Sequence, residues 1–147
     1  MGQDARMSDE PTLPLTGRCS CGAVTYEVSE PLLGMGLCYC KRCQRRTGTA
    51  FSATTLTVPG SFSITAGEEL VTTYVPGGDG WNKSFCSKCG GHLYTTSPDN
   101  PDLLAVRAGS FDGDPGVRPG LHQFTNYASE WWPVPDDDLP HFPERMQ

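Results

Sequence analysis

Seven cysteines in a chain of 147 residues, gathered into three tight clusters, constrain this sequence more than any other feature. They stand as Cys19-Ser-Cys21, Cys38-Tyr-Cys40-Lys-Arg-Cys43 and Cys86-Ser-Lys-Cys89, the last followed by Gly90-Gly91. An odd count does not close into a disulfide framework. In a reducing compartment, clustered thiols are metal ligands far more often than disulfides or incidental buried thiols.

The spacing suggests how metals would be held. A C-x-x-C turn followed by glycine has the form of a zinc knuckle. Its two sulfurs can bind one ion, nearby backbone N–H groups bond to them, and glycine re-aims the chain. A C-x-C pair can also bite one metal, because residues i and i+2 of an extended segment point to the same side. Seven ligands divide as four, which close a tetrahedral structural zinc, and three, which leave a position for water or substrate. Spacing alone leaves the pairing open. Cys19 and Cys21 can join Cys86 and Cys89, or Cys40 and Cys43 can do so, leaving Cys19, Cys21 and Cys38. Zinc is preferred to an iron–sulfur cluster, although thiolate-rich tetrahedral sites suit both.

The rest of the chain reads as mainly β. Tyr26 and Val28 alternate with Thr25 and Glu27. The runs AFSATTLTV, SFSIT, LVTTYV, HLYTTS, DLLAVRAG and LHQFTNY are rich in Val, Thr, Tyr and Phe. Breaks rich in Gly and Pro separate them, and no long window keeps a helical period. Residues 41–47, KRCQRRT, can form a helical turn. The expected organisation is a disordered tail at 1–14, one zinc domain at 15–132 and an extended C-terminal arm at 133–147.

A net charge of −6 argues against nucleic acid as partner. No run of 18 apolar residues is available to span a membrane, and the N-terminus lacks a signal-peptide pattern. The expected location is cytoplasmic, and a homo-oligomer is left open.

Several blocks together resemble the glutathione-dependent formaldehyde-activating enzyme family, also called the centromere-protein-V-like domain. They are GRCSCGAVTYEV, CYCKRCQRRTGTAFSA, SFCSKCGGHLY, AGSFDGDP and LHQFTNYASEWWPVPDDDLPHF. The resemblance runs from about Thr16 to Glu144. It implies a β-sandwich-type fold of the Mss4-like kind with zinc-binding loops. It implies two zinc ions per chain, a structural one on Cys19, Cys21, Cys86 and Cys89 and a catalytic one on Cys38, Cys40 and Cys43. It also implies a carbon–sulfur lyase-type enzyme acting on a small thiol adduct, such as glutathione plus formaldehyde giving S-(hydroxymethyl)glutathione. The alternative is a non-enzymatic zinc module that carries a thiol such as glutathione or binds a protein partner. Tyr39 stands where the family often has His, and Gln44 where Arg is frequent.

Basic residues crowd the second cluster: Lys41, Arg42, Arg45 and Arg46. They can cradle the carboxylates of an anionic thiol or offset thiolate charge. Tyr39, Arg45 and Arg46 are the candidate substrate contacts. His122 is expected as a structural hydrogen-bonding residue rather than a proton shuttle, and His92 near the surface or beside a ligand. Trp131 and Trp132 are expected to anchor the arm, and Asp112 and Asp114 to shape a turn. Seven clustered thiols predict about two zinc ions per chain in protein purified without added metal. Elemental analysis checks this; iron with visible absorbance, or no metal, contradicts it.

Overall fold

A computed structural model of the chain describes residues 11–146. Residues 1–10 of the expected tail, and residue 147, lie outside that range. The architecture is mainly β. Eleven strands are formed: β1 (Leu15–Arg18), β2 (Thr25–Val28), β3 (Gly34–Cys38), β4 (Ser52–Leu56), β5 (Phe62–Ala66), β6 (Val71–Tyr74), β7 (Asn82–Cys86), β8 (His92–Thr96), β9 (Leu104–Arg107), β10 (Pro119–Gln123) and β11 (His141–Phe142). One helix, α1, spans Lys41–Thr47. No helix among the described residues is long and apolar enough to cross a membrane.

The strands make two sheets. The small one has the order β1-β2-β5 and the large one β11-β10-β3-β4-β9-β8-β7-β6. Pairing is antiparallel except that β10 runs parallel to both β3 and β11. The segment 133–147 thus supplies an edge strand of the large sheet. Trp131 and Trp132 do not anchor it, since they are 67% and 51% exposed. The segment is held instead by β11 and by backbone bonds such as Phe124 N–H to the Glu144 carbonyl, 2.9 Å.

The core follows from the alternation in β2, where Tyr26 and Val28 point inward and Thr25 and Glu27 outward. Leu15, Val24, Leu32, Leu93 and Val106 join them, with Cys19 and Cys86 in the same cluster. Side chains of this size contribute roughly 1.5–3 kcal/mol each when fully buried. Tyr26 also packs on Phe62 and Phe111, with ring centroids 5.2 and 5.7 Å away.

Close packing makes Gly17 on β1 irreplaceable. A Cβ there would overlap the Tyr26 ring and sit 2.6 Å from the Ser110 carbonyl oxygen. Gly17→Ala should therefore cost about 1–3 kcal/mol and lower the melting temperature by roughly 3–12 °C. Thermal denaturation followed by circular dichroism checks this; an unchanged melting temperature contradicts the packing described.

Candidate metal centres and adjoining cavity

Two of the cysteine clusters meet across the fold. Cys19 and Cys21 lie in the turn after β1, Cys86 ends β7, and Cys89 lies in the turn before β8. Their four sulfurs all lie within 4.8 Å of one another. The Cys19–Cys21 and Cys21–Cys86 Sγ separations are 3.7 and 3.9 Å. A tetrahedral ion with arms of ~2.3 Å has ligand-to-ligand edges of ~3.8 Å, so this donor set fits a four-thiolate ion. Backbone amides support the sulfurs: Val24 N–H donates to Cys19 Sγ at 3.3 Å and Gly91 N–H to Cys89 Sγ at 3.4 Å. Gly90 turns the chain at φ +77°, which a side chain would resist. The Cys89 thiol is brought down to about 6, first by the Cys21 backbone amide and then by that of Gly91.

The third cluster forms its own group. Cys38 ends β3, Cys40 caps the N-terminus of α1, and Cys43 lies in its first turn. Cys40 Sγ accepts from Cys43 N–H at 3.3 Å, which is how a cysteine starts this helix. The three sulfurs lie within 4.8 Å of one another, and no fourth His, Cys, Asp or Glu joins them among the described residues. Cys38 and Cys43 are half-buried and Cys40 is buried. The group concentrates negative charge on Cys40. Hydrogen bonds from Cys38, then Cys43, drive the Cys40 thiol far below its ordinary range, and Cys40 and Cys43 drive Cys38 far above it.

Tyr39 lies inside the fold. It is fully buried between Cys38 and Cys40, and burial pushes its phenol up. The Asp137 carboxylate accepts from His122 Nε2 at 3.0 Å, and His122 Nδ1 shares a hydrogen bond with the Tyr39 hydroxyl at 2.9 Å. Gln44, also buried, donates from Nε2 to the carbonyls of Tyr39 and Tyr127, each at 2.8 Å. Both departures from the family pattern thus hold the loop rather than line an opening. His122, Asp137 and His141 also lie within 4.8 Å of one another.

The basic residues distribute differently from the expectation. Arg42 helps to lower the Cys40 thiol and stands 3.9 Å from the Asp79 carboxylate. Lys41 Nζ donates to the Gln44 side-chain oxygen at 3.2 Å. Arg45 is exposed, and Arg46 lies over the Phe85 ring, 4.9 Å from its centroid. Strands add further positive charge near the three sulfurs. Lys83 on β7 feels Cys43 and Cys40, and Arg107 on β9 feels Cys43 and Cys38. Neither was signalled by sequence spacing, since each stands alone within a strand run.

A cavity of about 590 Å³ adjoins the groups, with Cys19, Ser52, Gly91, His92 and Arg107 on its wall. Ser52 hydrogen-bonds to Cys43, and Thr47, also on the wall, donates to the Cys43 carbonyl at 2.8 Å. His92 is pushed down to about 4, by burial first and then by Arg46 and Arg107. Asp112 on the rim is held low by Thr16 and Arg18, which hydrogen-bond to it at 2.8 and 2.9 Å.

With this geometry in hand, comparison with known proteins is informative. The family described as glutathione-dependent formaldehyde-activating enzyme matches residues 14–127. A protein of Halomonas elongata, which carries the provisional name of such an enzyme, is 28% identical over 123 residues, covering 80% of this chain and 78% of its own. A crystal structure of a Rhodobacter sphaeroides protein superposes with a TM-score of 0.56 at 28% identity, covering 71% of this chain and 91% of that one.

His92 yields a pH prediction. The folded chain keeps it neutral down to about pH 4, while the unfolded chain protonates it near 6.5. The unfolded state therefore binds more protons in that window, and this contribution to stability is lost as pH falls from 6.5 towards 4. His92→Gln should gain on the wild type over that interval. Paired melting curves check this; a difference independent of pH contradicts it.

Proposed function

The chain belongs to the glutathione-dependent formaldehyde-activating enzyme family, and from that premise we propose that it is a zinc-dependent carbon–sulfur lyase-type enzyme joining formaldehyde to glutathione as S-(hydroxymethyl)glutathione. The observation that carries this reading is the Cys38, Cys40 and Cys43 group. It offers three sulfurs within 4.8 Å and no fourth ligating side chain among the described residues. A closed structural site would have four, as the Cys19, Cys21, Cys86 and Cys89 group does. Free thiols at both groups suit the reducing cytoplasm.

In this reading Cys38, Cys40 and Cys43 hold the second zinc, and Cys19, Cys21, Cys86 and Cys89 the first. Zinc bound by three thiolates supplies a position at which a substrate thiol loses its proton. Arg42 and Lys83 offset the negative charge that the cysteines bring together. The Tyr39–His122–Asp137 chain and Gln44 keep the loop in place while substrate enters. The glutathione sulfur then bonds to the formaldehyde carbon. The electron pair of the C=O bond moves to oxygen, which takes up the proton the thiol gave up. The reverse step releases both molecules.

The two groups should respond differently to loss of a ligand. A structural zinc contributes about 10–16 kcal/mol of apparent free energy in zinc-finger peptides, against a domain stability of roughly 5–15 kcal/mol. Cys86→Ala should give insoluble or unfolded protein, while Cys40→Ala folds and loses one metal. Solubility and metal content check this; equal stability of the two variants contradicts the division.

Substrate use is tested by titration calorimetry with glutathione and with S-methylglutathione, whose sulfur has no proton to lose. Glutathione should bind more tightly, and Cys38→Ala should abolish the difference. NMR exchange between free and hydroxymethylated glutathione should run faster with the protein than without it. Equal affinities rule out a metal-held thiolate, and binding without faster exchange makes the chain a thiol carrier.

A further inference from the structure

Arg107 ends β9 and is 8% exposed. Burial strips water from its guanidinium and pushes its pKa down. A buried arginine ordinarily meets a carboxylate in a forked ion pair. Here no described residue makes a hydrogen bond or an ion pair with the side chain, whereas Arg18, Arg118 and Arg145 each reach a carboxylate. The nearest wall carboxylate, Asp112, is taken by Thr16 and Arg18. What Arg107 does face is the cavity, and it is close enough to Cys43 and Cys38 to feel their charge.

The cavity is also the right size and chemistry for a small polar ligand. Its volume of about 590 Å³ lies within the range of small-molecule sites. The wall adds neutral hydrogen-bonding groups, among them Ser20, Thr49, Ser52 and the uncharged ring of His92. The guanidinium thus faces the cavity without a protein partner, on a wall it shares with Ser52, which neighbours Cys43.

We propose that Arg107 binds a carboxylate of the thiol substrate, so that the cavity selects carboxylate-bearing thiols over neutral ones. The inference rests on the reading of Cys38, Cys40 and Cys43 as the thiol site and names the chemistry that site recognises. Arg107 is a specificity-determining residue in this account. The basic residues of α1 do not share that role, because none of Lys41, Arg42, Arg45 and Arg46 lies on the cavity wall.

The test compares glutathione with its diethyl ester, which keeps the thiol and amine and loses both carboxylate charges. Titration calorimetry is run on the full chain with its metal content measured before and after. The wild type should bind glutathione roughly 10–100-fold more tightly than the ester, the range expected for a charge-assisted hydrogen bond formed in a buried site. Arg107→Gln should lose that preference while binding the ester within a few-fold of wild type and keeping its metal. Arg107→Lys, which keeps the charge but not the fork, should fall between them. Equal wild-type affinity for glutathione and ester overturns the inference and leaves the thiol site intact. A variant that keeps full preference, or sheds its metal, also overturns it, the latter by making Arg107 a counter-charge for the cysteines. Wild-type binding of neither compound removes the thiol-site reading and this inference together.

Discussion

Two loops whose cysteines stand 65 residues apart bring four sulfurs within 4.8 Å of one another. One loop leaves the small sheet and the other joins β7 to β8 within the large sheet. Thiols have little reason to crowd in this way unless a cation binds them, since hydrophobic contact is satisfied equally by larger apolar side chains. The convergence does more than close a loop. It packs Cys19 and Cys86 into the same core as Tyr26, Val28 and Leu93, and so fixes how the two sheets face each other. The cavity has Cys19 and Gly91 on its wall and inherits its shape from that junction.

The second group depends on a different device. Its loop runs from β3 into α1, a helix of only seven residues, far too short to be stable by propensity alone. Tertiary contacts hold it. Tyr39 is fixed at its amide by the Gln123 carbonyl, at its carbonyl by Gln44 and at its hydroxyl by His122. His122 in turn holds Asp137 of the C-terminal segment, where hydrogen bonding keeps the carboxyl below its usual range, and β11 pairs beside it. The part of the chain farthest in sequence from Cys38 therefore sets the rigidity of the Cys38–Cys43 loop. That arrangement leaves Cys38 and Cys43 half-buried and Cys40 buried, while charge from Lys83 and Arg107 reaches them from the strands.

Local patterns in the sequence carried much of this. Alternation marks β2, and runs rich in Val, Thr, Tyr and Phe mark β4, β5, β6, β8 and β9. The strand β3, with the sequence Gly-Met-Gly-Leu-Cys, carries no such mark. It forms because β10 and β4 pair on either side, and Leu121 covers the space at Gly36. Cysteine spacing shows clusters, but which clusters meet depends on long-range pairing that no local pattern encodes. The same limit explains Arg107 and Lys83. Each is one residue on a strand, and its position beside the sulfurs arises only when β7 and β9 pack across from α1. Trp131 and Trp132 err in the opposite sense: large aromatic side chains read as anchors, yet the segment is held by backbone bonds and they stay exposed.

The central claim is that one cysteine group is closed and the other can accept an outside thiol. Cadmium-113 NMR of cadmium-exchanged protein reads both groups at once, because the shift reports how many sulfurs surround each ion. The account predicts two resonances, one in the four-sulfur range and one in the three-sulfur range. Glutathione should leave the first in place and move the second towards the four-sulfur range, while S-methylglutathione moves neither. A single resonance, two four-sulfur resonances without added thiol, or a second resonance unmoved by glutathione would contradict it.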